Sequence, residues 1–187
     1  MEVSSSLLVA MMFVMVLSIG IGNLLMGLSS LLNERSPREF DWLPTSWLLL
    51  MLLQHLNLFW YTLEIIEVEN WGFGGFLYIV TGPTLLFLAA SLLLADPALS
   101  GPSEPRSHYF RVAGKFFAIM SLLMLWMIGA DFVLGSGLTR ASFWNATFLV
   151  LFAVLARSQA PGLHGALTMA TWALTLSLLV FRSFTPQ

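Results

Sequence analysis

Cysteine is absent from all 187 residues, which excludes disulfides, thiolate metal sites and cysteine nucleophiles. Charge is scarce too. Asp, Glu, Lys and Arg make up 10% of the chain, against about 25% in soluble domains. The 8 Lys and Arg residues are scattered and the net charge is −2, so no basic surface for nucleic acid can form. Of the 3 histidines, only His55 falls in the middle of an apolar run, and a bis-histidine haem needs two imidazoles at one depth. His108 and His164 could meet near Glu104, but no metal-ligand spacing accompanies them. There is no H-E-x-x-H, no G-x-S-x-G and no phosphate-cradling glycine loop. No helix repeats arginine every third residue as a voltage sensor would. Neither a cofactor nor a catalytic set is expected.

What the chain does contain is apolar length. Hydrophobic residues make up 58% of it, and its mean hydropathy is +0.84. A bilayer core of about 30 Å is crossed by about 20 helical residues. Six runs meet that length or approach it: residues 6–32, 45–67, 74–95, 110–131, 141–157 and 162–182. The expected fold is an all-α integral membrane bundle of six transmembrane helices, forming a single transmembrane domain over residues 1–187. The first run is expected to stay as a span, because Met1-Glu2-Val3-Ser4 lacks the positive charge of a signal peptide. The fifth run is short and would rely on Arg140 and Arg157 snorkelling to the interfaces; a five-span bundle with this segment re-entrant is the alternative.

The links carry helix breakers. Pro44 closes the first loop, ENWGFGG the second, and the proline-rich stretch 96–108 the third; GSG and SQAPG separate the last spans. Arg35, Arg38, Arg106, Arg111, Lys115 and Arg157 fall on one side of the bundle, and Arg140 and Arg182 on the other. The positive-inside rule then puts both termini on the outer side. Trp42 and Trp47 are expected at the inner boundary, and Trp71 and Trp144 at the outer one.

Polar residues inside spans are costly and mark packing contacts, pathways or ligands. The second span, SWLLLMLLQHLNLFWYTLEIIE, carries Gln54, His55, Asn57, Tyr61 and Glu64. Taking Gln54 as zero and about 100° per residue, Tyr61 falls near about −20°, Asn57 about −60° and Glu64 about −80°, with His55 on a flank at about +100°. The four-residue stripe is expected to face the bundle interior, climbing about 15 Å from mid-membrane toward Glu64. Asp131 ends the fourth span at the same outer level. In the third span, Thr81-Gly82-Pro83-Thr84 lies at the depth of Gln54, and Pro83 frees the carbonyl of Tyr78 or Ile79. The pathway or ligand candidates are therefore Gln54, His55, Asn57, Tyr61, Glu64, Thr81, Pro83 and Asp131. The plain alternative is that these groups only hydrogen-bond between helices. Ser18, Gly20, Gly22, Asn23 and Gly27 give the first span a small face for close packing or an oligomer contact. Thr168, Thr171 and Thr175 form a hydroxyl stripe that back-bonding would satisfy.

Three segments, QHLNLFWYTLE, WGFGGFLYIVTGPTLLFLAASLLLAD and HYFRVAGKFF, resemble a group of small, functionally uncharacterised bacterial multi-pass inner-membrane proteins over about residues 45–125. The resemblance implies a polytopic inner-membrane protein and no particular activity. Three roles are open at this stage. One is a channel or carrier for ions, protons or a small solute, working as a homo-oligomer. Another is a non-catalytic accessory subunit with membrane-protein partners. The third is a lipid- or quinone-binding protein or membrane enzyme built on His55, Tyr61 and Glu64.

Overall fold

The computed structural model describes residues 4–32, 41–94, 105–134 and 137–184; side chains at 31, 32 and 181–184 are outside the description. Arg35, Arg38, Glu104 and the Arg182 side chain therefore lie outside it. The described residues form helices joined by short links: α1 (Ser5–Leu32), α2 (Trp42–Trp60), α3 (Thr62–Glu67), α4 (Phe73–Leu93), α5 (Pro105–Val133), α6 (Arg140–Arg157) and α7 (Pro161–Phe184). Because α3 continues the rod begun by α2, the bundle has six rods, as the apolar runs predict.

Helix starts follow local chemistry. Asp41 caps α2, its carboxylate accepting from the Leu43 N–H at 2.9 Å. Pro105 and Pro161 open α5 and α7 as first residues, where proline's missing N–H costs nothing and its fixed φ suits a helix. Both helices thus begin earlier than expected from hydropathy alone. Tyr61 breaks the second rod: its N–H bonds the Leu58 carbonyl at 3.1 Å, three residues back, before α3 resumes.

Among the described residues, five rods are long and apolar enough to cross a membrane: Ser5–Ser30, Trp42–Glu67, Phe73–Leu93, Pro105–Val133 and Pro161–Val180. The exception is α6, which is 18 residues long, begins and ends with arginine and carries Ser142, Asn145 and Thr147. It is one continuous helix, so the segment does not loop back on itself.

Packing makes a closed circuit of α1 on α4, α4 on α5, α5 on α6, α6 on α7, α7 on α2 and α2 on α1. From within it, α2 also touches α4 and α5. The most buried of the long apolar rods is α5, which buries residues from Tyr109 to Asp131. Outward positions such as Met15, Ile19, Leu56, Leu63 and Leu125 are large, apolar and exposed, as lipid-facing positions should be. Trp47 differs from expectation. It is fully buried, edge-on to Phe116, Phe117 and Phe152 with centroids 5.6, 4.8 and 6.0 Å away. It is a core ring rather than an interfacial one, because it stands on the face of α2 that meets α5 and α7. Trp42 is exposed, and Trp71 and Trp144 are half-buried.

Candidate functional site

The inward face of the second rod runs through Trp47, Met51, His55, Leu58, Thr62 and Ile65, at the three- and four-residue steps of one helix side. His55, expected on a flank, is thus on the buried face, together with Thr62. Glu64 is exposed, while Gln54 and Asn57 are half-buried. The stripe of Gln54, Asn57, Tyr61 and Glu64 does not enter the core as a unit, because the bulky Trp47, Met51 and Leu58 set the rod's rotation. Only Tyr61 of the four is buried.

His55 is fully buried. Its Nδ1 lies 2.8 Å from the Met51 carbonyl, which can only accept, so Nδ1 carries the proton and Nε2 presents a lone pair. Nε2 has no hydrogen-bond partner. It rests against Gly20 of α1, where even a methyl group would collide with the ring. The small face of α1 therefore works partly as sockets: Gly20 receives His55, Gly27 receives the Leu94 side chain, and Gly22 has open space beside it.

Above His55, the Tyr61 hydroxyl and the Thr62 Oγ1 are also buried without a hydrogen bond of ordinary geometry. The Tyr61 hydroxyl faces the Asp131 carboxylate and is within electrostatic reach of Glu64 and Tyr78. Asp131, at the end of α5, is buried. Its Oδ2 accepts from the Ser142 hydroxyl and, at 3.1 Å, from the Thr139 hydroxyl. Thr139 caps α6, its Oγ1 accepting from the Ser142 N–H at 3.3 Å while Ser142 Oγ accepts from the Thr139 N–H at 3.0 Å. One carboxylate thus gathers the end of α5, the link after it and the start of α6. A carboxylate near a helix N-terminus is favoured by the dipole. The T-x-x-S spacing of Thr139 and Ser142 was the available sequence signal for this cap.

The third span is a continuous helix through Pro83. Gly82 and Pro83 are buried, but Thr81 and Thr84 are exposed and bond their own carbonyls, Leu77 O at 2.8 Å and Val80 O at 2.9 Å. The opened turn is met from α5, where Trp126 Nε1 donates to the Tyr78 carbonyl at 2.7 Å. This is not a junction with Gln54, because Thr81 points away from the bundle.

A second polar cluster, at the opposite end of the bundle, escaped the sequence reading. Tyr109 and His164 are both buried, with the phenol oxygen 2.9 Å from Nδ1. Nε2 is 3.0 Å from the Ser158 carbonyl at the end of α6; Nε2–H must donate there, so Tyr109 donates to Nδ1. Trp47 Nε1 donates to the Thr168 hydroxyl at 3.0 Å, which in turn donates to the His164 carbonyl at 2.7 Å. Thr171 back-bonds Leu167 at 2.8 Å, as the hydroxyl stripe suggests. His108 turns to the Leu92 carbonyl at 3.1 Å, so it and His164 take separate partners. Among the described residues, no three His, Asp or Glu side chains could share a metal ion. The rings around Trp47 belong to this second cluster, with Phe117 edge-on to both Tyr109 and His164; along the second rod between Trp47 and Tyr61, Met51 and Leu58 are buried and apolar. An open, mainly apolar groove of about 510 Å³ between α6 and α7, lined by Thr147, Val150, Leu151, Val154, Leu163 and Leu167, holds neither cluster.

No protein-family model, no curated protein and no solved structure matches this chain. What stands is a helical protein with five rods able to span a bilayer, and hence a plausible multi-pass membrane protein.

Proposed function

We propose that this protein is a six-span membrane carrier, set in a bacterial inner membrane with both termini outside, that moves protons or a small cation. One observation carries the reading. His55 Nε2, the Tyr61 hydroxyl and the Thr62 Oγ1 are buried along the second rod with no hydrogen bond of ordinary geometry, and the Tyr61 hydroxyl faces the buried Asp131 carboxylate. An orphaned buried polar atom costs about 1–3 kcal/mol, so three on one rod call for an explanation such as a transient ion or water. Met51 and Leu58, fully buried and apolar between Trp47 and Tyr61, make this a closed state, to be opened by helix movement rather than a standing pore. The orientation rests on the positive-inside count, and the inner-membrane location on the sequence resemblance.

The test is flux of protons and alkali cations into proteoliposomes. Tyr61→Phe should cut the rate severalfold, and Glu64→Gln should change it less, since Glu64 is exposed. No flux of any of these ions, or an unaltered rate in Tyr61→Phe, would remove the proposal.

A second reading, an accessory subunit that binds another membrane protein, has its own observation. Trp47 meets Thr168, yet one heptad further along the same faces Gln54 and Thr175 are both only half-buried. Polar groups left half-buried at that depth prefer a protein neighbour to lipid. Mass determination after gentle solubilisation separates the readings: unrelated co-purifying chains favour the subunit.

A further inference from the structure

We infer that Asp131, Tyr61, Thr139 and Ser142 form a binding site for a hard monovalent cation of the sodium type. The inference rests on the carrier reading and deepens it by naming what binds at the outer end of the path. The donors are all oxygens, which hard cations select over nitrogen or sulfur ligands. Asp131 supplies one buried carboxylate, and the hydroxyls of Ser142 and Thr139 converge on its Oδ2. Each of these hydroxyls donates its hydrogen to the carboxylate and accepts one backbone N–H in the cap, which leaves one lone pair on each for a cation. The independent observation is Tyr61: it is 8% exposed, its hydroxyl closes no hydrogen bond of ordinary geometry, and it faces the same carboxylate. A single buried carboxylate matches one positive charge; calcium-type sites gather several carboxylates and carbonyls.

One exposed carboxylate lies close to the site, in a segment that is acidic throughout. Residues 61–75 contain Glu64, Glu67 and Glu69 and no lysine or arginine. All three glutamates are exposed, and Glu64 is within electrostatic reach of Tyr61. A carboxylate so placed raises the local concentration of cations. Arg140 is the basic residue nearest in sequence to the cluster, and its side chain is exposed at the start of α6.

The test uses the purified full-length protein in detergent, melted in lithium, sodium, potassium or choline chloride at one ionic strength and at several pH values. A saturable rise in melting temperature on the order of a few degrees is expected with sodium, or with another alkali cation, relative to choline. Asp131→Asn and Tyr61→Phe should each abolish the increment; Tyr61→Phe keeps the ring and so tests the site even if Asp131→Asn does not fold. Equal melting in every salt, or an increment that survives in Tyr61→Phe, overturns the site. A response to pH without any response to cation identity overturns it as well, since the carboxylate would then take only a proton. The two ideas fail separately: saturable stabilisation without flux leaves the site and removes the carrier, while flux without stabilisation does the reverse.

Discussion

Tyr78 on α4 and Trp126 on α5 each donate a side-chain hydrogen bond to the other's main-chain carbonyl, at 2.8 and 2.7 Å. The rings stack with centroids 6.0 Å apart, and each covers a glycine on the partner helix, Gly82 under Trp126 and Gly129 under the Tyr78 hydroxyl. Lipid is as apolar as the bundle interior, so close backbone approach and interhelical hydrogen bonds must hold such helices together. This clasp supplies both at the turn that Pro83 opens.

A methyl group at position 129 would collide with the Tyr78 hydroxyl. Gly129→Ala should therefore destabilise the bundle by about 1–3 kcal/mol, the usual cost of overpacking. Tyr78→Phe alone should cost roughly 0.6 kcal/mol, the average for an interhelical hydrogen bond in a membrane. Because the phenylalanine also removes the colliding oxygen, the double variant should be less destabilised than the sum of the two. Unfolding in increasing dodecyl sulfate, followed by helical ellipticity, measures the cycle; strict additivity would refute the contact.

The His55 socket makes a parallel case on α1. Gly20→Ala should lower stability by about 1–3 kcal/mol, whereas Gly22→Ala, with open space beside it, should stay within about 0.5 kcal/mol. In a His55→Ala background the Gly20→Ala penalty should largely vanish, since the ring it strikes is gone. Thermal melts of the four variants decide this, and a penalty that persists without His55 would mean the collision lies elsewhere.

The cap on α6 can be tested through Thr139. Its side chain accepts from the Ser142 N–H and donates to Asp131, so Thr139→Ala should cost about 1 kcal/mol, the usual cost of losing an N-cap. Thr139→Ser should recover most of it. Hydrogen exchange should place the loosening in the first turn of α6 and the end of α5; a loss spread evenly over the chain would argue against a local cap.

With no native cysteine, orientation can be read by labelling single introduced thiols. Glu64→Cys and Glu69→Cys are at exposed positions and should react with an impermeant maleimide from outside intact cells. Arg157→Cys, also exposed, should react only after permeabilisation. The reverse pattern would invert the topology derived from the positive charges.

The number of rods and most of their limits were legible in run length and in the breakers between runs, because the bilayer sets a length that sequence must meet. Thr168 and Thr171 were equally legible, since back-bonding is local. The facing of the second rod was not. In a soluble helix the apolar stripe marks the buried side, but here Leu56 and Leu63 face outward while Leu58 and Ile65 face inward, so hydropathy does not distinguish the two sides. Polarity then misled: Glu64 is exposed at the rod's end, and His55, set apart on the helical wheel, is the group in the core.

Sequence by itself determined the six helical rods of the described residues, mostly long enough for a bilayer, and excluded chemistry based on thiols. Tertiary structure alone decided which polar groups meet: Tyr61 with Asp131 and the cap of α6, Tyr109 with His164, Tyr78 with Trp126. The reason is physical. Rod length and local hydrogen bonding depend on residues a few positions apart, whereas helix rotation depends on where large side chains such as Trp47 and small ones such as Gly20 and Gly129 let two rods approach, and those partners are far apart in the chain.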